Sequence, residues 1–93
     1  MAQYVILCID KPNASEVRLA NRAAHLDYLK AQGERLLMAG PLLSDDGEAM
    51  QGSLLVFEFD DQAQAEAFLA DEPYAKAGLF DSVTLRRYRK VLP

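Results

Sequence analysis

The sequence predicts an α+β domain of the ferredoxin-like class, with the element order β-α-β-β-α-β and a four-stranded antiparallel sheet that carries its helices on one face. Two heavily apolar runs, 5–9 and 54–57, indicate strands that are buried on both faces. Segments with helical composition separate the strands, and glycine, proline and aspartate mark the turns. At 93 residues, the chain has the length of one domain, which we place over 1–93.

The first strand and the first helix occupy the N-terminal third of the chain. The strand covers residues 4–10, and a short turn leads into a helix over 15–32. Asn13 or Ser15 is expected to cap the start of this helix, because either side chain can accept a hydrogen bond from a free backbone N–H. Gly33 is expected to end it.

Three strands and a second helical region follow. In order, they are a strand over 34–42, a turn at 44–47, a strand over 52–59, a helix over 62–70, a short helix from Pro73 that Gly78 ends, and a strand over 82–91. The pair Asp60-Asp61 can cap the second helix, and proline suits the first position of the short one. The first and third strands are the most apolar, so they are expected in the centre of the sheet.

Both faces of the central strands are apolar. In the first strand Val5, Leu7 and Ile9 alternate with Tyr4, Ile6 and Cys8, and in the third strand Leu55, Phe57 and Phe59 alternate with Leu54 and Val56. Since the helices of this fold cover one face only, the other face would expose large apolar side chains, which marks an interaction surface. A homodimer that packs sheet face against sheet face is therefore expected.

Composition and charge exclude several classes of partner. The formal net charge is −4, whereas proteins that bind nucleic acids are usually basic. The apolar run 5–9 is too short to span a bilayer, and no basic segment precedes it as in a signal peptide. The single cysteine, Cys8, is expected to be a buried apolar side chain. We therefore expect a cytoplasmic protein that binds neither nucleic acid nor membrane.

The first helix has an apolar sector on a helical wheel. At about 100° per residue, Leu19, Leu26 and Leu29 fall together, with Ala23 at the edge of the sector. This sector is expected to pack against the sheet.

Three basic residues lie in or beside that sector. Arg22 falls inside it, and Arg18 and His25 lie along one margin. Because buried cations are unfavourable unless paired, they either extend to water or pair with carboxylates in a structural role, or they form a site for an anionic or polar ligand. Histidine is a general acid or base near neutral pH, and arginine binds carboxylate, phosphate or enolate oxygens.

The segment before the short helix is a second candidate site. Asp71 and Glu72 precede Pro73, where a carboxylate can cap the helix. The functional alternative is that one of these carboxylates orients His25 or shares a proton with it.

The chain resembles the YciI-like (YCII-related) family along essentially its whole length. The matching motifs are Arg18-x-x-x-Arg22-x-x-His25-Leu26, Ala39-Gly40-Pro41, Gly52-Ser53, Glu72-Pro73-Tyr74 and Ala77-Gly78. The resemblance implies a fold similar to the dimeric α/β-barrel proteins, which include muconolactone isomerases and cofactor-free oxygenases. A dehydrochlorinase that acts on a chlorinated hydroxyquinol is among the family's members.

The resemblance also implies the identity of the site residues. His25 matches the histidine of a His–Asp pair that is the family's proposed active site. The family aspartate precedes a Pro-aromatic pair, where this chain has Glu72, and the adjacent Asp71 is an alternative. Recurrent polar positions of the family, expected here to contact substrate, are Arg18, Arg22 and Ser53.

Two functions are compatible with these residues. The first is an enzyme without metal or organic cofactor that acts on a small cyclic or aromatic anion, with His25 moving a proton in an isomerisation or an elimination. The second is a dimer that binds a small anion without catalysis and serves a regulatory role.

Two further classes are disfavoured. RNA-recognition domains share this element order, but Ser53, Leu55 and Glu58 stand where their base-stacking aromatic residues belong. A metal site is not expected, because one histidine and one cysteine provide no spaced set of ligands. The acidic pairs 45–46 and 60–61 are better explained as a turn and a helix cap.

Overall fold

The helices and strands follow the predicted order. In the computed structural model, which describes residues 1–93, the elements are β1 (Ala2–Asp10), α1 (Ser15–Lys30), a 3₁₀ turn (Gly33–Arg35), β2 (Leu36–Leu43), β3 (Met50–Phe59), α2 (Gln62–Ala70), α3 (Pro73–Lys76) and β4 (Phe80–Tyr88). No helix combines the length and the apolar character that crossing a bilayer requires. The predicted ferredoxin-like α+β fold is confirmed.

The sheet has the strand order β2-β3-β1-β4, and every neighbouring pair is antiparallel. The two most apolar strands, β1 and β3, are central, as predicted. They approach each other closely where Gly52 lies opposite Ile9. A Cβ atom on Gly52 would lie only 2.3 Å from the carbonyl oxygen of Cys8, so the spacing of the strands here requires a glycine.

One face of the sheet holds the hydrophobic core. Its buried members are Tyr4, Ile6, Cys8, Leu29, Leu55, Phe57, Phe59, Ala65 and Phe68. Cys8 is fully buried, as predicted. Burial, followed by the negative charges of Glu72 and Asp10, raises the pKa of the Cys8 thiol to about 12. The thiol is therefore neutral and unreactive at physiological pH.

The opposite face of the sheet, which we call the open face, is apolar at its centre. Val5 pairs with Val56 and Leu7 pairs with Leu54 across the central strands. Val5, Leu7 and Leu54 remain partly exposed, and Ile9 beside them is 40% exposed. The chain therefore leaves a continuous apolar patch uncovered, as the alternation of its strands predicts.

The start of α1 differs from the prediction. Ala14 is the N-cap, and no side chain caps the helix. Ser15 is already the first helical residue, and Asn13 adopts a positive φ of 58°, which asparagine tolerates better than most residues. Asn13 thus turns the chain before the cap position, and the prediction that Asn13 or Ser15 caps the helix is wrong.

The two acidic pairs shape the backbone, as predicted. Asp46 accepts hydrogen bonds from the Ser44 hydroxyl and the Glu48 backbone N–H, which lower the pKa of its carboxyl group. Asp61 is the N-cap of α2 and accepts from the Gln64 backbone N–H at 2.9 Å.

The helix α1 packs through a largely polar face. Its buried residues are Arg18, His25 and Leu29, whereas Leu19 is 73% exposed and Leu26 is 38% exposed. The predicted apolar stripe is therefore wrong except at Leu29. Arg18 and His25 are tolerated in the buried position because carboxylates and an aromatic ring from other elements contact them.

Candidate functional site

A cavity of about 240 Å³ lies beside the buried face of α1. The residues that line it are Arg18, Arg22, His25, Leu26, Leu29, Ala39, Gly40, Pro41, Met50, Ser53 and Tyr74. A groove of about 310 Å³ runs along the turn between β1 and α1, but it contains no histidine or arginine. The three basic side chains predicted for the site therefore line the smaller cavity.

The spacing along α1 explains why three basic residues reach one cavity. Arg18, Arg22 and His25 are four and three residues apart, so they lie on one face of the helix. The other polar groups come from distant parts of the chain, namely Ser53 from β3 and Tyr74 from α3.

His25 is paired with Glu72. The distance from His25 Nδ1 to Glu72 Oε1 is 2.5 Å, and the Glu72 side chain is fully buried. The second oxygen, Oε2, accepts from the Ala75 backbone N–H at 3.0 Å, which makes Glu72 the N-cap of α3. One carboxylate thus fulfils both roles considered for it, because each oxygen serves a different partner.

This pairing determines which nitrogen of His25 is available for chemistry. An ionised carboxylate only accepts hydrogen bonds, so Nδ1 carries a proton and Nε2 of the neutral ring presents a lone pair. Nε2 makes no hydrogen bond to the protein, whereas every fully buried polar side-chain atom has a partner. Nε2 is therefore not fully buried, and it opens to the cavity that His25 lines. The Tyr74 ring stacks on the imidazole at 3.9 Å and holds its plane.

Arg18 is neutralised by Asp10. Arg18 Nε donates to Oδ2 at 2.7 Å and Nη2 donates to Oδ1 at 2.9 Å, and each side chain is only 6% exposed. Nη2 also donates to Ser53 Oγ at 3.0 Å. Burial disfavours the charge of Arg18, but the hydrogen bond and the charge of Asp10 outweigh it and raise the pKa of the guanidinium. Arg18 is a fixed cation in a completed ion pair.

Arg22 is the second cation of the cavity, and it is exposed. None of the ion pairs in the structure involves it. Its guanidinium is therefore available to a ligand in a way that the guanidinium of Arg18 is not.

The cavity is lined by four of the six predicted site residues, namely Arg18, Arg22, His25 and Ser53. Glu72 lies behind the imidazole, in contact with His25. Asp71 is outside the site, since it is an exposed residue at the C-terminal end of α2. Sequence reasoning gave no role to Asp10, although a carboxylate at the end of a buried strand needs a partner. It also gave no role to Tyr74, which the sequence marks only as the aromatic residue after a helix-initiating proline.

Curated relatives match the chain over nearly its full length. An uncharacterised protein of Haemophilus influenzae is 39% identical, and Protein YciI of Escherichia coli is 37% identical. Each alignment covers 95% of this chain and 97% of the relative.

Solved structures show the same fold. The 5-chloro-2-hydroxyhydroquinone dehydrochlorinase of Burkholderia phenoliruptrix, solved in complex with 2,5-dihydroxybenzoquinone, matches with a TM-score of 0.87 and 32% identity, covering 94% of this chain and 93% of that one. An antibiotic biosynthesis monooxygenase matches with a TM-score of 0.58 at 14% identity and so shows the fold alone. The model of the YCII-related domain matches residues 2–89. By the fold, the relatives and this match, the chain belongs to the family of YCII-related domains.

Proposed function

We propose that the chain is a cofactor-independent enzyme that moves a proton on a small cyclic or aromatic anion, with His25 as the general base. The proposal depends on one observation: Glu72 pairs with Nδ1 of His25, while the imidazole lines a cavity. With Glu72 ionised, the proton of the neutral ring lies on Nδ1 and the lone pair on Nε2. An oriented imidazole with a free lone pair is the arrangement that general-base catalysis requires.

The rest of the cavity favours an anionic substrate. Arg22 would bind a negatively charged oxygen, because no carboxylate of the protein occupies it. Arg18 and Ser53 also line the cavity and would position the substrate there. Glu72 is a positioning residue in this scheme, since it acts through the imidazole.

The size of the cavity limits the substrate. At about 240 Å³ it is smaller than the roughly 300–1,000 Å³ of pockets for drug-sized ligands, which suits a single ring. The dehydrochlorinase and the quinone bound to it are examples of single-ring chemistry in a related protein. Elimination of HCl would transfer a hydroxyl or C–H proton to Nε2, while chloride leaves with the electrons of the C–Cl bond.

The test is turnover of 5-chloro-2-hydroxyhydroquinone, followed as chloride release, together with proton exchange of cyclic hydroxyketones in D₂O. His25→Gln is expected to lower kcat at least roughly 100-fold, because it removes the base while keeping a polar side chain of similar length. Unchanged turnover in this variant would exclude His25 as the base.

Neighbouring acidic residues provide a matched control. Glu72→Gln should lower turnover, since an amide nitrogen facing Nδ1 favours the wrong tautomer, whereas the exposed Asp71→Asn should behave as wild type. If the wild type is thermally stabilised by these compounds but neither releases chloride nor exchanges protons, the non-catalytic anion-binding role is favoured.

We further propose that two copies pack through the open face. The apolar centre of that face, formed by Val5, Leu7, Leu54 and Val56, lies on the side of the sheet away from the core. A domain of 93 residues buries only a modest fraction of its surface and is stabilised by covering further apolar area. A second copy of the same face covers the patch without any further component.

Light scattering at micromolar concentration should therefore give the mass of a dimer. Leu54→Lys, at the centre of the open face, should give a monomer, because a lysine would lose its hydration at the interface. Leu19→Lys is the control, since Leu19 is exposed on α1. A monomeric wild type, or a dimer that survives Leu54→Lys, would contradict this assembly.

A further inference from the structure

No group of the protein accepts a hydrogen bond from the Tyr74 hydroxyl. Tyr74 is only 1% exposed, and its ring stacks on His25 and meets Phe80 edge to face. The hydroxyl is hydrogen-bonded to the Arg18 side chain, and a guanidinium can only donate, so the proton of the hydroxyl is left without a protein acceptor. Tyr74 lines the cavity beside His25, where a ligand can accept that proton. Buried tyrosines normally donate from this group, so the missing acceptor points to a ligand.

The charges around Tyr74 indicate what kind of ligand group it would meet. The Arg18 guanidinium lies 4.7 Å from the centre of the ring. Burial raises the pKa of the phenol more than the charges of Arg18 and Arg22 lower it, so the hydroxyl keeps its proton and remains a donor. A donor beside two cations is suited to an acceptor that carries negative charge.

We propose that the Tyr74 hydroxyl donates a hydrogen bond to an anionic oxygen on the ring of the ligand, such as an enolate or the oxygen of a hydroxyquinone. The inference rests on the proposed function, in that it takes the cavity to be the ligand site. It adds a third group to the two already assigned: Nε2 of His25 receives the proton, Arg22 binds negative charge, and Tyr74 holds the ring oxygen. Both side chains line the same cavity, so one ligand ring can lie against both.

The substrate class that follows is a cyclic hydroxyketone, hydroxyquinone or hydroxyquinol. Such a molecule becomes negatively charged on oxygen when it loses a proton, and that charge would form beside Tyr74. A neutral donor held in place before the proton moves stabilises the product anion more than the neutral ligand. Tyr74 would thereby increase the acidity of the bound ligand as well as its affinity.

Two tyrosine-to-phenylalanine variants test the inference. Tyr74→Phe keeps the ring stack and removes only the hydroxyl. Tyr28→Phe is the matched control, because the Tyr28 hydroxyl donates to the Phe68 carbonyl at 2.8 Å and does not line the cavity. The probe is 2,5-dihydroxybenzoquinone, titrated calorimetrically into the wild type and each variant, and the Tm of each protein is measured without ligand.

Tyr74→Phe is expected to weaken binding of the probe about 10-fold or more, the loss typical of a hydrogen bond to a charged acceptor. Its Tm should fall little, because the hydroxyl proton has no protein acceptor to lose and Arg18 keeps its hydrogen bonds to Asp10 and Ser53. Tyr28→Phe should show the reverse, with a lower Tm and an unchanged Kd. An unchanged Kd in Tyr74→Phe, or a fall in Tm as large as that of Tyr28→Phe, would overturn the inference.

This experiment separates the inference from the proposed function. If the probe binds and depends on Tyr74 but His25→Gln has no effect on turnover, the inference stands and the role of His25 as the base fails. If turnover depends on His25 while Tyr74→Phe binds as the wild type does, only the inference fails. Absence of any binding of the probe to the wild type would overturn the inference, since it names this ligand class.

Discussion

Asp10→Ala is expected to destabilise the fold by about 3 to 5 kcal/mol, because it leaves the buried guanidinium of Arg18 without its counter-ion. In the wild type both oxygens of Asp10 accept from Arg18, at 2.7 and 2.9 Å. A domain of this size has a stability of roughly 5–15 kcal/mol, so the variant should be marginally folded. Urea denaturation followed by circular dichroism measures the loss.

Two further variants show whether the loss of stability comes from the unpaired charge of Arg18. Asp60→Ala breaks an Asp–Arg pair at the surface, where Asp60 Oδ1 lies 3.6 Å from Arg35 Nη2, and should cost less than about 1 kcal/mol. The double variant Asp10→Leu/Arg18→Met removes both buried charges and should recover much of the stability. A loss below 1 kcal/mol in Asp10→Ala alone would contradict the expectation, as would a double variant no more stable than the single one.

Gly52→Ala is expected to destabilise the fold by about 3 kcal/mol, since the added methyl group overpacks the centre of the sheet. Its carbon would lie 2.3 Å from the Cys8 carbonyl oxygen and 2.9 Å from Leu42 Cδ1. A side chain can rotate away, but the carbonyl belongs to the paired strand, so β1 and β3 must separate. The free energy of unfolding in urea measures this effect.

The control for Gly52 is the other glycine of the sheet. Gly40 lies in the edge strand β2, and a Cβ atom there would have no other atom within 4 Å. Gly40→Ala should therefore change the stability by no more than about 0.5 kcal/mol. If Gly52→Ala were equally mild, the spacing of the central strands would have to be adjustable.

The order of the elements and the centre of the sheet were predictable from the sequence because they depend on local signals. The strands β1 and β3 are strongly apolar on both of their faces, as central strands buried on both faces must be. Asp61 and Pro73 begin their helices through contacts made within a few residues. The ends of the elements were less predictable, since pairing with a neighbouring strand decides where a strand stops.

The buried face of α1 was not predictable from the same kind of reasoning. A helical wheel groups residues by hydropathy and therefore selects Leu19 and Leu26, which are exposed. The helix instead buries Arg18 and His25, because Asp10 and Glu72 neutralise or hydrogen-bond them from elements that are remote in sequence. Burial of a polar side chain is decided by its partner, and a one-dimensional pattern does not contain the partner.

The site was partly predictable. The spacing of Arg18, Arg22 and His25 predicts a common face, which the structure has. The choice between Asp71 and Glu72 needed the geometry of α3, whose first turn directs the Glu72 side chain toward His25 while Asp71 faces water. Tyr74 could be assigned a role only once its ring and its hydroxyl were located beside the cavity.

The two hydrogen bonds of Glu72 link the imidazole to the architecture of a short helix. One oxygen holds the first turn of α3, and the other holds His25. Fraying of that turn would release the carboxylate, and the orientation of the imidazole would be lost in the same event. Exchange of the Ala75 amide hydrogen with solvent therefore reports how often the site is assembled, so the occupancy of the competent state is observable in the protein without any substrate.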